Sequence, residues 1–201
     1  MGVWQGQMEF PLSNEGRLQA RSVGKALAGE RIDGIYSSPL DRAFDTAEII
    51  VRETNFPGAV VPIEGLTERL GGLLEGTTRA ERDARNPELM NKFLSVPEEE
   101  RWTLVGAETD EEVLYRFERA ISDIRSRHAS GARMAVVSHG GVMRAFLRDV
   151  FGAEVLPGSE RAPNASITRI EWVGEGRPRL TKLASTQHLD SGPAPGVYSA
   201  E

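Results

Sequence analysis

The chain has 201 residues, of which 39% are hydrophobic and 27% are charged, the composition of an ordinary globular domain with a sizeable core. Its formal net charge of −6 argues against a general nucleic-acid binder, and the absence of cysteine excludes disulfides, thiol nucleophiles and cysteine-ligated metals. No apolar run approaches the length of a membrane span, and no basic region followed by an apolar one marks a signal peptide, so we expect a cytoplasmic protein that contacts no membrane.

Apolar spacing predicts alternating helices and strands along the first third of the chain. Ser13 can cap a helix whose apolar face follows it. Residues 32–38 form a short apolar stretch that ends in hydroxyl residues, which predicts a strand. Ser38 as a cap and Pro39 at a first helical position predict that the next helix begins directly after this strand. Residues 59–63 predict another strand.

The middle of the chain combines a charged segment with a long helix and an apolar strand. Residues 78–105 are charged and interrupted by prolines, and we interpret them as an insertion of short helices over the sheet and the site. Residues 108–128 carry apolar side chains at helical spacing. Residues 134–137 are apolar without a break and stop at Ser-His-Gly-Gly, which predicts a strand buried on both faces, a tight turn and a further helix.

The last part of the chain predicts an antiparallel pair of strands. Residues 164–173 alternate partly, and residues 180–184 would form an edge strand paired with them. Residues 191–201 are rich in glycine and proline and predict a flexible tail. Because no repeat or linker divides the sequence, we expect a single domain over residues 1–201, of the α/β class with a mainly parallel sheet.

The first candidate site residue is His139, at the predicted carboxyl end of the 134–137 strand. Open α/β sheets bind ligands at this end of their strands. The backbone amides that follow, beginning with Gly140, open a helix and would favour an anion. The alternative is a histidine whose hydrogen bonds are satisfied within a turn.

Two further charged residues lie in segments that could meet at the same edge. Arg42 lies one turn into the helix after the first strand, where its planar fork of donors would bind phosphate. Its alternative is a surface ion pair with Asp41 or Asp45. Glu68 lies in a glycine-rich turn and would act as a general acid if its pKa were raised, so that it kept its proton. Its alternative is an ion pair with Arg69.

Six segments, taken together and in order, resemble one known family. They are residues 5–20 (Gln-Gly-Gln to Pro-Leu, then Gly and Gln-Ala), 36–47 (Tyr-Ser-Ser-Pro-Leu-Asp-Arg-Ala, then Thr-Ala), 66–76 (Leu-Thr-Glu to Leu-Glu-Gly), 106–108 (Gly-Ala-Glu), 136–141 (Val-Val-Ser-His-Gly-Gly) and 164–168 (Asn-Ala-Ser-Ile-Thr). This pattern resembles the histidine phosphatase superfamily, with its phosphoglycerate mutase-like fold, and covers the chain to about residue 189.

The resemblance implies a fold, a reaction and roles for four residues. The fold is a three-layer α/β sandwich, and the reaction is hydrolysis or transfer of the phosphoryl group of a small phosphorylated metabolite. Arg42 and His139 would bind phosphate, Gly140 would offer a backbone amide, and Glu68 would protonate the leaving oxygen. The family needs no metal or other cofactor. The insertion is short for the lid that mutases use, so a phosphatase is favoured over a mutase.

One essential motif of the family does not occur in these residues. The family begins with an apolar strand that ends in Arg-His-Gly, whose histidine is the nucleophile. Residues 1–4 match the stretch just after it. Of the three histidines, His139 matches the second family histidine, whereas His128 and His188 follow no apolar strand. Whether the chain is a phosphomonoesterase therefore stays open at the level of sequence.

Loss of the first strand would leave backbone groups without hydrogen-bond partners, at a cost of about 1–3 kcal/mol for each group, so a folded chain must fill its place or reorganise. Three interpretations remain. In the first, the sequence begins late and the natural protein is an ordinary phosphatase. The protein would instead be a variant that kept the fold and lost phosphohistidine chemistry. Or residues 195–198, or a strand of a partner subunit, would fill the place. An exposed sheet edge would also favour a homodimer.

Two alternative functions use the same pocket. One is a non-catalytic, regulatory protein that binds phosphate through Arg42 and His139 without turnover. The other is an enzyme that reuses Glu68 and His139 as a proton-transfer pair in acid/base chemistry on a substrate without phosphate.

Overall fold

Three parallel strands form the main sheet in the order β2-β1-β3. They are β1 (Gly34–Ser37), β2 (Val61–Pro62) and β3 (Met134–Val137), and Tyr36 of β1 pairs with a residue of both neighbours. The structure is a computed structural model, and it describes residues 2–157, 161–174 and 177–189. The parallel pairing of strands from distant parts of the chain confirms the predicted sheet type.

A separate antiparallel pair follows the parallel sheet in the sequence. It consists of β4 (Ile167–Glu171) and β5 (Arg179–Ser185), with Ile170 opposite Leu180. The register shifts twice along the pair, as at a β-bulge. The predicted pairing of these two segments is confirmed.

The strand β3 is an edge strand within the described part of the chain. It pairs there only with β1, and β4 pairs there only with β5. The side chains of β3 pack against both clusters, but all four are only partly buried, so the prediction of a strand buried on both faces is confirmed only in part. An edge strand has neighbours on one side alone, which leaves its side chains less covered. Residues 195–198, suggested as a replacement strand, lie outside the described residues.

Helices cover both faces of the parallel sheet. Ile35 packs in a cluster with residues of the first two helices, whereas its neighbour Tyr36 packs on the other face with residues of later helices. This follows from the alternation of side chains along a strand. The first cluster contains Val23, Ile35, Ala47, Ile50 and Val60, and the second contains Tyr36, Leu66, Val113, Phe117, Ala120, Ile124, Val142 and Phe146. The predicted three-layer arrangement is therefore confirmed.

The first helix, α1 (Asn14–Leu27), begins as predicted. The hydroxyl of Ser13 accepts a hydrogen bond from the backbone N–H of Gly16 at 3.0 Å, which caps the helix.

The second helix, α2 (Asp41–Thr54), begins two residues later than predicted. Pro39 is not its first residue, because Leu40 has an extended backbone with φ −60° and ψ 131°. The Ser38 hydroxyl accepts a hydrogen bond from the Leu40 N–H at 3.2 Å within this turn and does not cap the helix. The first N–H of α2 instead donates to the carboxylate of Glu9 at 2.9 Å.

The predicted insertion forms three short helices. They are α3 (Arg79–Arg85), α4 (Pro87–Ser95) and α5 (Glu98–Leu104). The insertion packs in a cluster of its own, which contains Leu74, Met90, Trp102, Val105 and Ala107 with Trp4, Leu89 and Phe93 beside it. None of these cluster residues belongs to a strand, so the insertion packs on the loops near the sheet edge rather than on the sheet.

Two long helices complete the layer that carries the second cluster. The helix α6 (Asp110–Ser126) begins with a capping box between Thr109 and Glu112. The helix α7 (Gly140–Phe151) follows β3 after Ser138 and His139, and the two glycines expected in a turn are its first two residues. None of the helices in the described ranges is both long and apolar enough to cross a membrane.

Candidate functional site

The carboxyl ends of β1 and β3 meet at one edge of the sheet. The backbone N–H of Ser38, just after β1, donates to the carbonyl of Val137 at 2.9 Å. The side chains that follow also meet, because Nε2 of His139 lies 2.8 Å from the hydroxyl oxygen of Ser38. Parallel strands place their carboxyl ends side by side, which brings the residues that follow β1 next to the residues that follow β3.

His139 is almost fully enclosed at this edge, with 7% of its surface exposed. Burial lowers the pKa of His139 to about 4, since a charged imidazole is costly away from water. The nearby charge of Glu68 raises this pKa, and the charges of Arg42 and Arg116 lower it. The imidazole is therefore neutral at pH 7 and pairs with Ser38 through one ring nitrogen.

Arg42 lies in the first turn of α2 and reaches back to the N-terminal segment. Its two terminal nitrogens donate to the carbonyls of Met8 at 2.9 Å and Gly6 at 2.6 Å. Burial lowers the pKa of Arg42, although the guanidinium stays charged at any physiological pH. It forms no ion pair with a described residue, and Asp45 pairs with Arg17 instead at 2.8 Å. The surface ion pair considered for Arg42 is thus not formed.

The carboxylate of Glu68 lies at the N-terminus of α7. Its two oxygens accept hydrogen bonds from the backbone N–H groups of Gly141 and Val142, both at 2.9 Å, and of Arg69 at 2.8 Å. A Cβ atom at Gly141 would lie 2.5 Å from a carboxylate oxygen of Glu68, so only glycine permits this approach. At Gly140 the same atom would meet only a side-chain carbon at 4.0 Å.

The side chain of Arg69 turns away from Glu68. It forms an ion pair with Asp110 and donates to the carbonyl of Glu108 at 2.5 Å. Its guanidinium also lies 4.3 Å from the ring centre of Trp102 in the insertion. The ion pair between Glu68 and Arg69 that the sequence left open is therefore not formed. The carboxylate of Glu68 instead contacts the N-terminus of α7.

Arg116 of α6, which the sequence did not single out, fixes the loop that carries Glu68. It pairs with Glu108 through two nitrogens at 2.8 Å each. It also donates to the carbonyls of Gly65 at 3.1 Å, Thr67 at 2.7 Å and Glu68 at 2.9 Å. A signal was available, because the resemblance already marks Glu108 and an arginine follows it eight residues later on the long helix.

Gln7 and Glu75 connect the N-terminal segment to the same loop. A Glu75 oxygen accepts from the backbone N–H of Gln7 at 2.8 Å and of Gly71 at 2.7 Å. The Gln7 side chain donates to the carbonyl of Glu68 at 2.9 Å. Gly6 adopts φ +51° directly against Glu75, a conformation that favours glycine. Both segments belong to the resemblance, but sequence alone gave neither residue a role.

The other two histidines lie away from this edge. Nε2 of His128 is 2.8 Å from the Tyr36 hydroxyl, and its ring lies against Gly34 at the amino end of β1. Nε2 of His188 is 2.9 Å from the carbonyl of Ala165. Within the described ranges no group of three or more His, Asp or Glu side chains is arranged to hold a metal ion.

The family model of the histidine phosphatase superfamily (branch 1) matches residues 1–186. The chain belongs to this superfamily. A relative from Arabidopsis thaliana named metal-independent phosphoserine phosphatase is 30% identical over 197 residues, which cover 95% of this chain and 80% of that protein.

Solved structures of the superfamily share the fold. Bacillus stearothermophilus YhfR superposes with a TM-score of 0.77 at 26% identity, over 93% of this chain and 91% of that one. The mycobacterial glucosyl-3-phosphoglycerate phosphatase superposes with a TM-score of 0.71 at 25% identity, over 90% of this chain and 91% of that one. The predicted phosphoglycerate mutase-like fold is thus confirmed, and this chain is similar to proteins named as phosphatases.

Proposed function

We propose that this chain binds the phosphoryl group of a small phosphorylated metabolite where β1 and β3 end. The observation that carries the proposal is the meeting of Arg42, Glu68 and His139 with the N-terminus of α7. The contact of His139 with Ser38 and the contact of Glu68 with Gly141 hold the last two groups at one edge of the sheet, and the charge of Arg42 lies near enough to lower the pKa of His139. Helix amides and a half-buried guanidinium form an environment that favours a phosphate dianion.

Each of these groups has a task in binding. Arg42 would offer its remaining N–H groups to two phosphoryl oxygens, since its present partners are two backbone carbonyls. His139, neutral at pH 7, would donate one hydrogen bond to the phosphoryl group while Ser38 holds its other ring nitrogen in place. The N–H of Gly140 would offer a backbone donor at the first position of α7.

Binding of a phosphoryl group would also change what Glu68 does. Its carboxylate occupies the N–H groups of Gly141 and Val142, which a phosphoryl oxygen would take over. The displaced carboxyl group would then lie beside the ester oxygen. In hydrolysis a nucleophile forms a bond to phosphorus, the P–O ester bond breaks and the leaving oxygen takes a proton, which Glu68 would donate after it has itself taken one up from water.

Hydrolysis through a phosphohistidine needs a nucleophile that these residues do not place at the site. His139 is buried against Ser38, and His128 and His188 lie elsewhere. The outer edge of β3 pairs with no described strand. A strand added there, parallel to β3, would end beside His139, where an Arg-His-Gly sequence would supply the nucleophile.

The names of the relatives support a phosphomonoester as the substrate. The Arabidopsis relative is named for phosphoserine, and one structural neighbour for glucosyl-3-phosphoglycerate. Both names describe a small molecule that carries a phosphoryl group. We therefore propose this substrate class for the chain, with phosphatase rather than mutase chemistry.

Thermal unfolding with inorganic phosphate tests the binding proposal. Phosphate at about a hundred times its Kd would raise the Tm of the 201-residue chain by about 5–10 °C. Arg42→Gln should abolish this shift, whereas Arg21→Gln, an exposed change on α1, should leave it intact. A chain whose Tm does not respond to phosphate would contradict the proposal.

A hydrolysis assay distinguishes an enzyme from a binding protein. We would compare the 201-residue chain with a chain extended at its N-terminus by an apolar strand ending in Arg-His-Gly, using an aryl phosphate at pH 5–8. Turnover by the extended chain alone would support a histidine phosphatase whose nucleophile comes from that strand. Turnover by both chains would show that the added histidine is not needed.

The second candidate is a regulatory protein that binds phosphate without turnover. The observation that favours it is that only one of the three histidines lies at the site. Phosphate-dependent stabilisation without hydrolysis by either form would support this candidate. Activity on a substrate without phosphate, abolished by Glu68→Gln, would instead support acid/base chemistry by Glu68 and His139.

A further inference from the structure

An exposed arginine lies beside the N-terminus of α7. The Cδ atom of Arg161 is 4.0 Å from the position that a Cβ of Gly140 would take. Its guanidinium lies 5.2 Å from the ring centre of Trp4. Arg161 therefore lies between the start of α7 and the N-terminal segment. Arg42 contacts the same segment, because it donates to the carbonyl of Gly6, two residues after Trp4.

Trp4 is held firmly enough to orient this arginine. The backbone N–H of Trp4 donates to the carbonyl of Thr77 at 3.0 Å, and the backbone carbonyl of Trp4 accepts from the N–H of Gly76 at 2.9 Å. Its ring packs 6.2 Å from the ring of Trp102. A guanidinium stacked on a fixed indole keeps a preferred direction and loses less entropy when it binds a ligand.

We propose that Arg161 binds a carboxylate on the phosphorylated substrate and thereby selects phosphomonoesters that carry a second acidic group. The inference rests on the proposed function, since it needs the phosphoryl group to lie at the start of α7. None of the ion pairs among the described residues involves Arg161, so no described carboxylate neutralises its fork of N–H donors.

The placement of Arg161 fits the outer end of such a substrate. Arg42 and His139 are partly or fully buried, and they would bind the inner, phosphoryl end. Arg161 is exposed at the rim, next to the same helix terminus. A ligand with its phosphoryl group inside would therefore place a carboxylate, a few bonds away, within reach of a planar guanidinium that binds it through two parallel hydrogen bonds.

Two ligands that differ in one group test this assignment. The probes are 3-phosphoglycerate, which carries a carboxylate, and glycerol 3-phosphate, which does not, each titrated calorimetrically into the 201-residue chain. The unmodified chain should bind 3-phosphoglycerate about five- to tenfold more tightly. Arg161→Gln should remove this preference while the affinity for glycerol 3-phosphate stays within about twofold, and Arg21→Gln should preserve the preference.

The outcomes separate this inference from the proposed function. If the unmodified chain binds both ligands and Arg161→Gln retains the preference, Arg161 does not bind the carboxylate, although the phosphate site stands. If the unmodified chain binds the two equally, no carboxylate is selected and the inference is wrong. If it binds neither ligand, the proposed function and this inference both fail.

Discussion

The carboxylate of Glu68 accepts the backbone N–H of Gly141 at 2.9 Å, in the first turn of the helix that follows His139. This contact joins two segments that are 73 residues apart in the chain. An internal anion thus occupies donors that a phosphoryl group would use. We therefore expect phosphate binding to displace the Glu68 carboxylate from these N–H groups.

Two adjacent glycine substitutions test how closely Glu68 approaches this helix. Gly141→Ala would place a methyl group 2.5 Å from a Glu68 oxygen and should destabilise the protein by about 1–3 kcal/mol. Gly140→Ala meets only a carbon at 4.0 Å and should be tolerated. Urea unfolding of both variants measures the difference, and equal stability of the two would show that Glu68 does not lie against Gly141.

Neutralising Glu68 should strengthen phosphate binding. Glu68→Gln removes a negative charge beside the site and one competitor for the Gly141 and Val142 donors, so we expect a lower Kd for inorganic phosphate by about threefold or more. Calorimetry measures the change, and Glu118→Gln, an exposed change on α6, is the matched control. Weaker phosphate binding by Glu68→Gln would mean that the carboxyl group assists the ligand.

The buried imidazole should make stability depend on pH. Because burial lowers the pKa of His139 from 6.5 to about 4, the unfolded chain binds a proton between these values that the folded chain does not. The free energy of unfolding should therefore fall as the pH drops from 6.5 towards 4, by up to about 3 kcal/mol from this group.

Comparison with a variant isolates this contribution. Urea unfolding of the unmodified chain and of His139→Gln at pH 7 and pH 5 cancels the effects of other titrating groups. The variant should lose less stability between the two pH values. An identical loss in both proteins, or an NMR titration that places the pKa of His139 near 6.5, would show that the imidazole is not enclosed as described.

Arg116 should be required for the shape of the loop that carries Glu68. Arg116→Lys keeps the charge but cannot reach Glu108 and three loop carbonyls at once, so we expect a loss of about 2–3 kcal/mol in unfolding free energy. We also expect tighter phosphate binding, because a displaced Glu68 would free the N–H donors of Gly141 and Val142. Arg119→Lys, at an exposed site on α6, should change neither property by a comparable amount.

The sequence predicted the elements whose signals are local. Ser13 caps its helix, the segment before His139 forms a strand, and the segments around residues 170 and 180 pair with each other. The start of α2 was misplaced, because Ser38 and Pro39 fit a helix start but also fit the turn that the structure contains. Local preference does not distinguish these two uses of the same residues.

The sequence singled out three candidate site residues but not the hydrogen bonds that connect them to the rest of the molecule. Arg42, Glu68 and His139 each follow a predicted strand or lie in a glycine-rich loop, so their types pointed to phosphate chemistry. The sequence placed Arg116 eight residues after Glu108 on the long helix, but its hydrogen bonds to the loop carbonyls depend on how α6 packs against that loop, which the sequence pattern does not give. The exposure of β3 was missed for a similar reason, since an apolar strand has the same sequence at an edge and at the centre of a sheet.

The most direct test of the phosphate site is an NMR titration of the 15N-labelled chain with inorganic phosphate. We expect the largest shifts at the amides of Gly140, Gly141 and Val142 and at the side chain of Arg42. A cavity of about 260 Å³ elsewhere offers an independent reference, because it is lined by two other arginines, Arg144 and Arg148, together with the carboxylates of Glu98, Asp110 and Asp149. Shifts confined to that cavity, or no shift at the start of α7, would contradict the proposed site.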